Sequence, residues 1–321
     1  MKLFTRLAAV GFVFSPTVFA AVYPSDASAQ ELGLDGGAIE FPVTPIPFVD
    51  GAFARCEGIA FNAEGRLFVA GDRALWHVDN VGSVTRLVDL FSNLGLAPIG
   101  ERDILMADFG PNNAFDGNPV RDGIVWRITP EGDTTRVVDG GIGDPNFILV
   151  LPDRSFLVSD DATNEIFRAE LDGSLELFTR AVAHPNGMAL TDDASTLYVA
   201  QSFQRIRPYV LDDRLWSVPL AEGKPAGEPE VVASMGEQAL TDGLAMDTEG
   251  RVYVAANAQG MIWRFDPASG EILLVAEGLP GAGSLAFGRG SFDTTALYVT
   301  STRTGTVWVV PVGSEGAPLH R

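Results

Sequence analysis

The chain is poor in the residues that most enzymes use for nucleophilic and acid–base chemistry. Its 321 residues include one cysteine and three histidines. A single cysteine excludes an intrachain disulfide, even in an oxidising compartment. Cys56 neighbours Glu57 on a predicted strand, so the two side chains should face opposite ways, with the thiol as a small buried group. No Gly-x-Ser-x-Gly stretch occurs, and three histidines give little from which to build a Ser-His-Asp arrangement. Glycine-rich phosphate loops are also absent. Positive charge is scarce: 22 Lys and Arg stand against 42 Asp and Glu, a net charge of −20. Such a surface repels nucleic acid and anionic membranes, suits a soluble exported protein and is compatible with binding a cation. Beyond the N-terminus, no apolar run is long enough to span a bilayer.

The N-terminus has its own pattern. Lys2 and Arg6 precede the apolar run Leu7 to Phe14, Pro16 interrupts it, and small residues follow. Ala27-Ser28-Ala29 fits a cleavage site, with Val18-Phe19-Ala20 as a second candidate. This pattern predicts a secretory signal peptide over 1–29 and export to the periplasm or beyond, with no membrane contact after cleavage. A short leader over 30–40 and a single domain over 41–321 would follow.

Internal repeats organise that domain. The segments "RLFVAG", "DILMAD", "SFLVSD", "TLYVAQ", "RVYVAA" and "ALYVTS" align with one another. Each is followed by a run with an aromatic residue at a shared position: Trp76, Trp126, Phe167, Trp216, Trp263 and Trp308, which include all five tryptophans. A short strand precedes each pair and another follows it. Six units of four strands, each about 40–50 residues long, are the signature of an all-β, six-bladed β-propeller with four antiparallel strands per blade. The sixth unit lacks its fourth strand. The segment "TPIPFVDG" resembles the missing piece and would close the ring from the N-terminal side. Pro45 and Pro47 suit such an outer edge, because proline cannot donate to a ladder.

Tight Gly/Asp turns place two connections of every unit on one face. The first strands therefore begin on the opposite rim, at Glu57, Leu94, Asn146, Asn186, Asp242 and Gly283. Four of these six anchors carry oxygen: Glu57, Asn146, Asn186 and Asp242. They come from blades one, three, four and five and could converge on the ring axis. Two carboxylates and two amide oxygens form a hard ligand set that suits Ca²⁺, or another divalent cation of similar preference, and leaves positions for water and substrate. Zinc is disfavoured because no His or Cys occupies an anchor.

The stretches "CEGIAF", "HPNGMALTDDASTLYVAQS", "TDGLAMDTEGRVYVAA" and "SLAFGRGSFDTTALYVTS" resemble the regucalcin/gluconolactonase (senescence marker protein) family of calcium-dependent lactone hydrolases. The resemblance runs from about residue 41 onward. It implies that Glu57, Asn186 and Asp242 ligate the metal, that Asp242 is also the general base, and that Asn146 contacts substrate or metal. In the related diisopropyl fluorophosphatase propellers the equivalent Asn is a ligand. Gluconolactonase-type members commonly have Arg two residues before this Asn and Asp-Gly after it. Here Asp144, Phe147 and Ile148 stand there, a departure that favours a substrate less polar than a sugar-acid lactone.

Two long loops, 108–123 and 201–214, lie on the anchor rim and are expected to form a lid. Phe109, Phe115, Phe203 and Tyr209 would wall it, and Arg205 or Arg207 could meet a carboxylate. His184, two residues before Asn186, is a candidate proton shuttle. His77 and His320 lie away from this rim. The expected activity is hydrolysis of a small-molecule lactone, with aryl esters or organophosphates as side substrates. Two alternatives stand beside it: a non-catalytic propeller that binds a ligand or partner, and a strictosidine synthase-like enzyme with a catalytic Glu elsewhere in the channel.

Overall fold

The computed structural model describes residues 39–92, 94–115, 117 and 120–320. The predicted signal peptide lies outside the described residues. Among those described there is no helix, and the strands sort into six antiparallel sheets of four long strands, plus one small separate hairpin. Five blades are consecutive in sequence. The sixth combines Ala282–Phe287, Ala296–Ser301 and Val307–Pro311 with Ile46–Val49 from the start of the domain. That early strand pairs with the last one, Pro47 facing Trp308, so the ring closes as the sequence predicts. Blade four carries one further short strand, Lys224–Pro225.

The core is divided into six apolar clusters, one between each pair of neighbouring blades. Between blades one and two, Phe68, Ala70 and Leu75 pack against Leu96, Ile104 and Met106. Between blades six and one, Val307 and Tyr298 pack against Ile59 and Val69, which completes the circle. Each second strand is buried along nearly all its length on both faces, which explains the apolar run at its centre. The recurring aromatic residue sits at one register position: Trp76 opposes Val69, Trp126 Met106, Phe167 Val158, Trp216 Val199, Trp263 Val254 and Trp308 Val299. Cys56 is fully buried, as expected, and burial pushes its thiol up to about 12. It is therefore no nucleophile at neutral pH.

One irregularity recurs on the inner strands. In five of six blades the pairing with the second strand shifts at one place: between Cys56 and Ile59, Pro145 and Ile148, Pro185 and Met188, Thr241 and Leu244, and Ala282 and Leu285. These are β-bulges, which bend a strand and re-aim a side chain. The anchors Glu57, Asn146, Asn186, Asp242 and Gly283 are the first residues inside them. A bulge strands a backbone N–H, and side chains of the second strands accept it in two blades. Ser159 Oγ takes Phe147 N at 3.0 Å, and Thr300 Oγ1 takes Ser284 N at 3.0 Å.

Candidate active site at the channel mouth

The bulges present the anchors to a cavity of about 180 Å³ on one rim of the channel. Glu57, Asn146, Asn186 and Asp242, all expected at one point, do line it together. They share the cavity with a carboxylate that the anchor pattern did not contain, Asp161. The glycine after an anchor is there for close approach between inner strands. A Cβ on Gly187 would lie 2.3 Å from the Asp242 carbonyl oxygen of the next blade, and one on Gly58 only 1.9 Å from that of Leu94. Asn186-Gly187 is thus not a hairpin turn, although the pair is a strong turn signal in other settings. Two residues before Asn186 and Asp242, His184 and Leu240 hold φ of 47° and 52°, so the chain enters both inner strands through a left-handed residue. That conformation is costly for non-glycine residues and clusters at functional sites.

Polar groups on the cavity floor are paired in a defined sense. Asn146 Nδ2 donates to Asp161 Oδ2 at 2.7 Å, and Asn257 Nδ2 to Asp242 Oδ2 at 2.8 Å. Asn186 also bonds Asp242 through its side chain. With each amide nitrogen committed to a carboxylate, the amide oxygens are left over. Asn186 Oδ1 and Asp161 Oδ1 are buried and have no hydrogen-bond partner in the protein. A buried oxygen without a donor costs about 1–3 kcal/mol, so two in one cavity point to a missing electropositive partner. The acids report the same deficit. Burial, helped by the nearby Asp242 charge, pushes Glu57 well above the usual carboxylate range. Burial raises Asp242 to about 7, against the opposing hydrogen bonds from Asn257 and Asn186. Burial likewise raises Asp161, with Asp144, Asp160 and Glu57 adding to the effect.

Among the described residues no three His, Cys, Asp or Glu form a metal-binding group. The donor set here is mixed, two carboxylates and two amides. Such a set of hard oxygens with orphaned lone pairs fits a large divalent cation with oxygen preference and suits neither zinc nor copper. Asp161 would steady Asn146 from behind, and Asn257 would do the same for Asp242, as outer-shell partners do in metal centres.

The walls come from the long loops. Phe109 and Phe115 belong to 108–123 and Phe203 to 201–214; all three line the cavity, with Leu94 and Leu240 beside them. The second loop is itself a hairpin, Phe203–Ile206 with Tyr209–Leu211. Phe115 lies against Phe109, Phe203 and Tyr209 at centroid distances of 6.1, 5.9 and 6.3 Å. The two loops are tied by Arg207, whose Nη2 donates to the Ala114 carbonyl at 2.6 Å, and Asp144 Oδ2 accepts Ala114 N at 2.8 Å.

Three sequence expectations change. Arg205 is exposed on the hairpin and does not line the cavity: in a regular strand it would share a face with Phe203, two residues away, but the register shifts between them and only Phe203 reaches the lining. His184 does not line it either: its Nδ1 bonds the Asp161 carbonyl at 2.8 Å and its ring meets the Phe203 ring edge-on at 6.1 Å. Phe147, read as a sign of a less polar substrate, packs between blades three and four and borders a separate cavity at the other end of the channel. The sequence reading missed Asp161 and Asn257. Both occupy the residue just after a second strand, and Phe109 and Ser202 take that position in their own blades. Aligning that position across the repeats brings out a second ring of side chains behind the anchors.

Known proteins agree with this architecture. Residues 53–303 match the family model for the SMP-30/Gluconolactonase/LRE-like region. Pentonolactonase XacC of Haloferax volcanii is 25% identical over 256 residues, 68% of this chain and 85% of that enzyme. A gluconolactonase of Zymomonas mobilis is 26% identical over 249 residues, 74% of this chain, and the match spans 58% of the Zymomonas enzyme. A crystal structure of regucalcin from Agrobacterium tumefaciens, described as a calcium-binding protein, superposes with a TM-score of 0.66 at 20% identity over 87% of this chain and 99% of its own. With the family model covering most of the ring, the chain belongs to the SMP-30/gluconolactonase/LRE-like family.

Proposed function

We propose that the protein is a divalent-cation-dependent hydrolase that opens a lactone, with Ca²⁺ as the cation. The supporting observation is the pair of buried, unpartnered oxygens, Asn186 Oδ1 and Asp161 Oδ1, beside Glu57 and Asp242 at the cavity floor. The lactonase relatives support the reaction class. Glu57, Asn146, Asn186 and Asp242 would hold the ion, and Asn146 is the ligand with the added option of touching substrate. When bound, the cation supplies polarisation of the ester carbonyl and stabilises charge developing on its oxygen.

Asp242 is the proton acceptor. Burial raises its carboxyl to about 7 in the cation-free site, a value that a bound cation would lower again, so Asp242 is a weaker base once the ion is in place. Asn257 fixes the orientation of the Asp242 carboxylate. Water adds to the carbonyl carbon as Asp242 takes its proton. The acyl–oxygen bond of the ring then breaks, the ring oxygen leaves as the hydroxyl after gaining a proton, and a hydroxy acid is released. At neutral pH that product ionises and gives one proton to solvent. His184 is a poor shuttle in this geometry, since its Nδ1 is engaged and the ring does not line the cavity. The proposal includes export through the N-terminal signal sequence.

The test is a lactone panel assayed with and without EDTA, for the wild-type protein and Asp242→Asn. Turnover that needs added Ca²⁺ and falls at least about 100-fold in the variant is expected. Turnover untouched by either perturbation overturns the reading. Calcium binding without turnover of any lactone would establish the non-catalytic alternative. A strictosidine synthase-like chemistry needs a glutamate elsewhere in the channel, whereas Glu57 is the sole glutamate lining this cavity among the described residues.

A further inference from the structure

We infer that the substrate is a compact apolar lactone, aryl-fused or short-alkyl, bound by its hydrocarbon part against Phe109, Phe115 and Phe203; this rests on the lactonase reading. Among the described residues, the ionisable and amide groups on the lining are the anchors Glu57, Asn146, Asn186 and Asp242 with Asp161, and hydrogen bonds tie Asn146 to Asp161 and Asp242 to Asn257. Apart from Ser202, the rest of the lining is apolar: Leu94, Phe109, Phe115, Phe203 and Leu240. Among the described residues Ser202 has the only hydroxyl on the lining, and its Oγ already donates to the Thr241 carbonyl at 2.8 Å.

Among the described residues no Lys, Arg or His lines the cavity, so apart from the ion no side-chain cation is there to hold a phosphate or a carboxylate. Arg207 on the hairpin is off the lining and donates through Nη2 to the Ala114 carbonyl. A sugar lactone presents several ring hydroxyls, and those turned to Phe109, Phe115 and Phe203 would meet aromatic faces that offer no hydrogen-bond partner. An apolar pocket discriminates against an added hydroxyl by about 100-fold. Size gives the second limit. An apolar cavity of about 150 Å³ accepts a benzene, and this one is about 180 Å³. A bicyclic aryl lactone, or a ring with a short alkyl arm, fills it.

The aromatic wall is built, not incidental. Phe115 is placed by its loop, whose Ala114 N–H and C=O are both held, by Asp144 and Arg207. Tyr209 backs the Phe115 and Phe203 rings at 6.3 and 5.8 Å from outside the lining. Phe203 and Phe115 are therefore specificity determinants that act through contact with the part of the substrate that does not react.

The calcium-loaded full chain is assayed on dihydrocoumarin and on glucono-1,5-lactone, and the ratio of their kcat/KM is read. A ratio above about 100 is expected, and Phe203→Ala and Phe115→Ala should each lower it about 10-fold or more through lost contact area. A wild-type ratio below about 100 overturns the inference while leaving the lactonase reading intact. Binding separates the two in the remaining case. The lactam isostere of dihydrocoumarin is titrated calorimetrically against the calcium-loaded wild type and Phe203→Ala. If neither lactone turns over but the lactam binds, and binds at least about 10-fold more weakly to the variant, the apolar-ligand inference holds and the hydrolase reading falls. A lactam that does not bind, or binds both proteins equally, overturns the inference whatever the turnover.

Discussion

Asp242→Asn should do two opposite things to stability, and their sizes follow from the site. In the cation-free protein the Asp242 carboxyl is raised from 3.8 to about 7 by burial. The folded state therefore holds this proton more tightly than the unfolded state does. The associated stability is fully present below about pH 4 and is lost as pH rises through about 7. Above that, the deficit is about 1.4 kcal/mol per unit over roughly three units, or some 4 kcal/mol. Asparagine removes the charge but also upsets the bonds from Asn257 and Asn186, so a net gain of about 2 kcal/mol is expected at pH 8. A ring of some 280 residues unfolds with roughly 0.6 kcal/mol per degree of entropy, which makes this about 3 °C. Calcium acts the other way. At a hundred times Kd it stabilises the wild type by about 2.7 kcal/mol, or 4–5 °C, and it competes with the protons on Asp242 and Glu57. The gain should thus be large at pH 8 and small at pH 5.5. Thermal melts of both proteins at these two pH values, with EDTA and with calcium, give every term. The reasoning fails if EDTA-treated Asp242→Asn melts several degrees below wild type at pH 8, or if the variant keeps the full calcium shift.

Other positions give independent checks. Asp161→Ala removes the acceptor that orients Asn146, and should weaken calcium binding by about 10–100-fold in a calorimetric titration while the protein stays folded. Gly58→Ala places a methyl 1.9 Å from the Leu94 carbonyl oxygen, so the inner strands of blades one and two must part. It should cost about 3 kcal/mol and lower Tm by several degrees. His184→Gln should leave the pH–rate profile unchanged, because the ring does not line the cavity. Cys56 should stay unlabelled by iodoacetamide in the native protein and react fully in denaturant, given a thiol pushed up to about 12.

The propeller was legible because its constraints repeat. Every second strand is buried along nearly all its length on both faces and every third strand carries its large aromatic residue at one register position. Six copies of one pattern outweigh the ambiguity of any single short strand. The closing strand Ile46–Val49 was legible for a related reason, since a blade short of one strand must find it elsewhere. The anchors could be found as a shared position even though what they do there is not a regular strand property. In a regular strand, Glu57 and Asn186 would obey simple alternation and the glycines after them would be liabilities. The bulges change that, letting the anchor turn to the axis while the following residue, glycine in blades one, four and five, meets the neighbouring blade at backbone distance. Composition shows none of this, because the bulge is a property of pairing.

What sequence could not show was which polar residues stand behind the anchors. Asp161 and Asn257 follow second strands in loops whose sequences look like ordinary turns, "DDATN" and "ANAQG". A turn acid is normally a solvated residue, and only the ring geometry buries this one at 4% exposure against Asn146. The same geometry redirects the argument from Phe147. Its place after Asn146 suggests a wall of the site, yet the bulge that turns Asn146 to the mouth sends Phe147 between blades. The apolar wall exists, but loops 108–123 and 201–214 supply it. Floor and wall therefore have separate origins. The floor is written into the repeat and so into the fold, whereas the wall sits on two insertions that the repeat does not constrain. Substitutions in those insertions can change which lactone is accepted while the oxygen set stays fixed, whereas a change at Glu57 or Asp242 acts on the chemistry for every substrate alike.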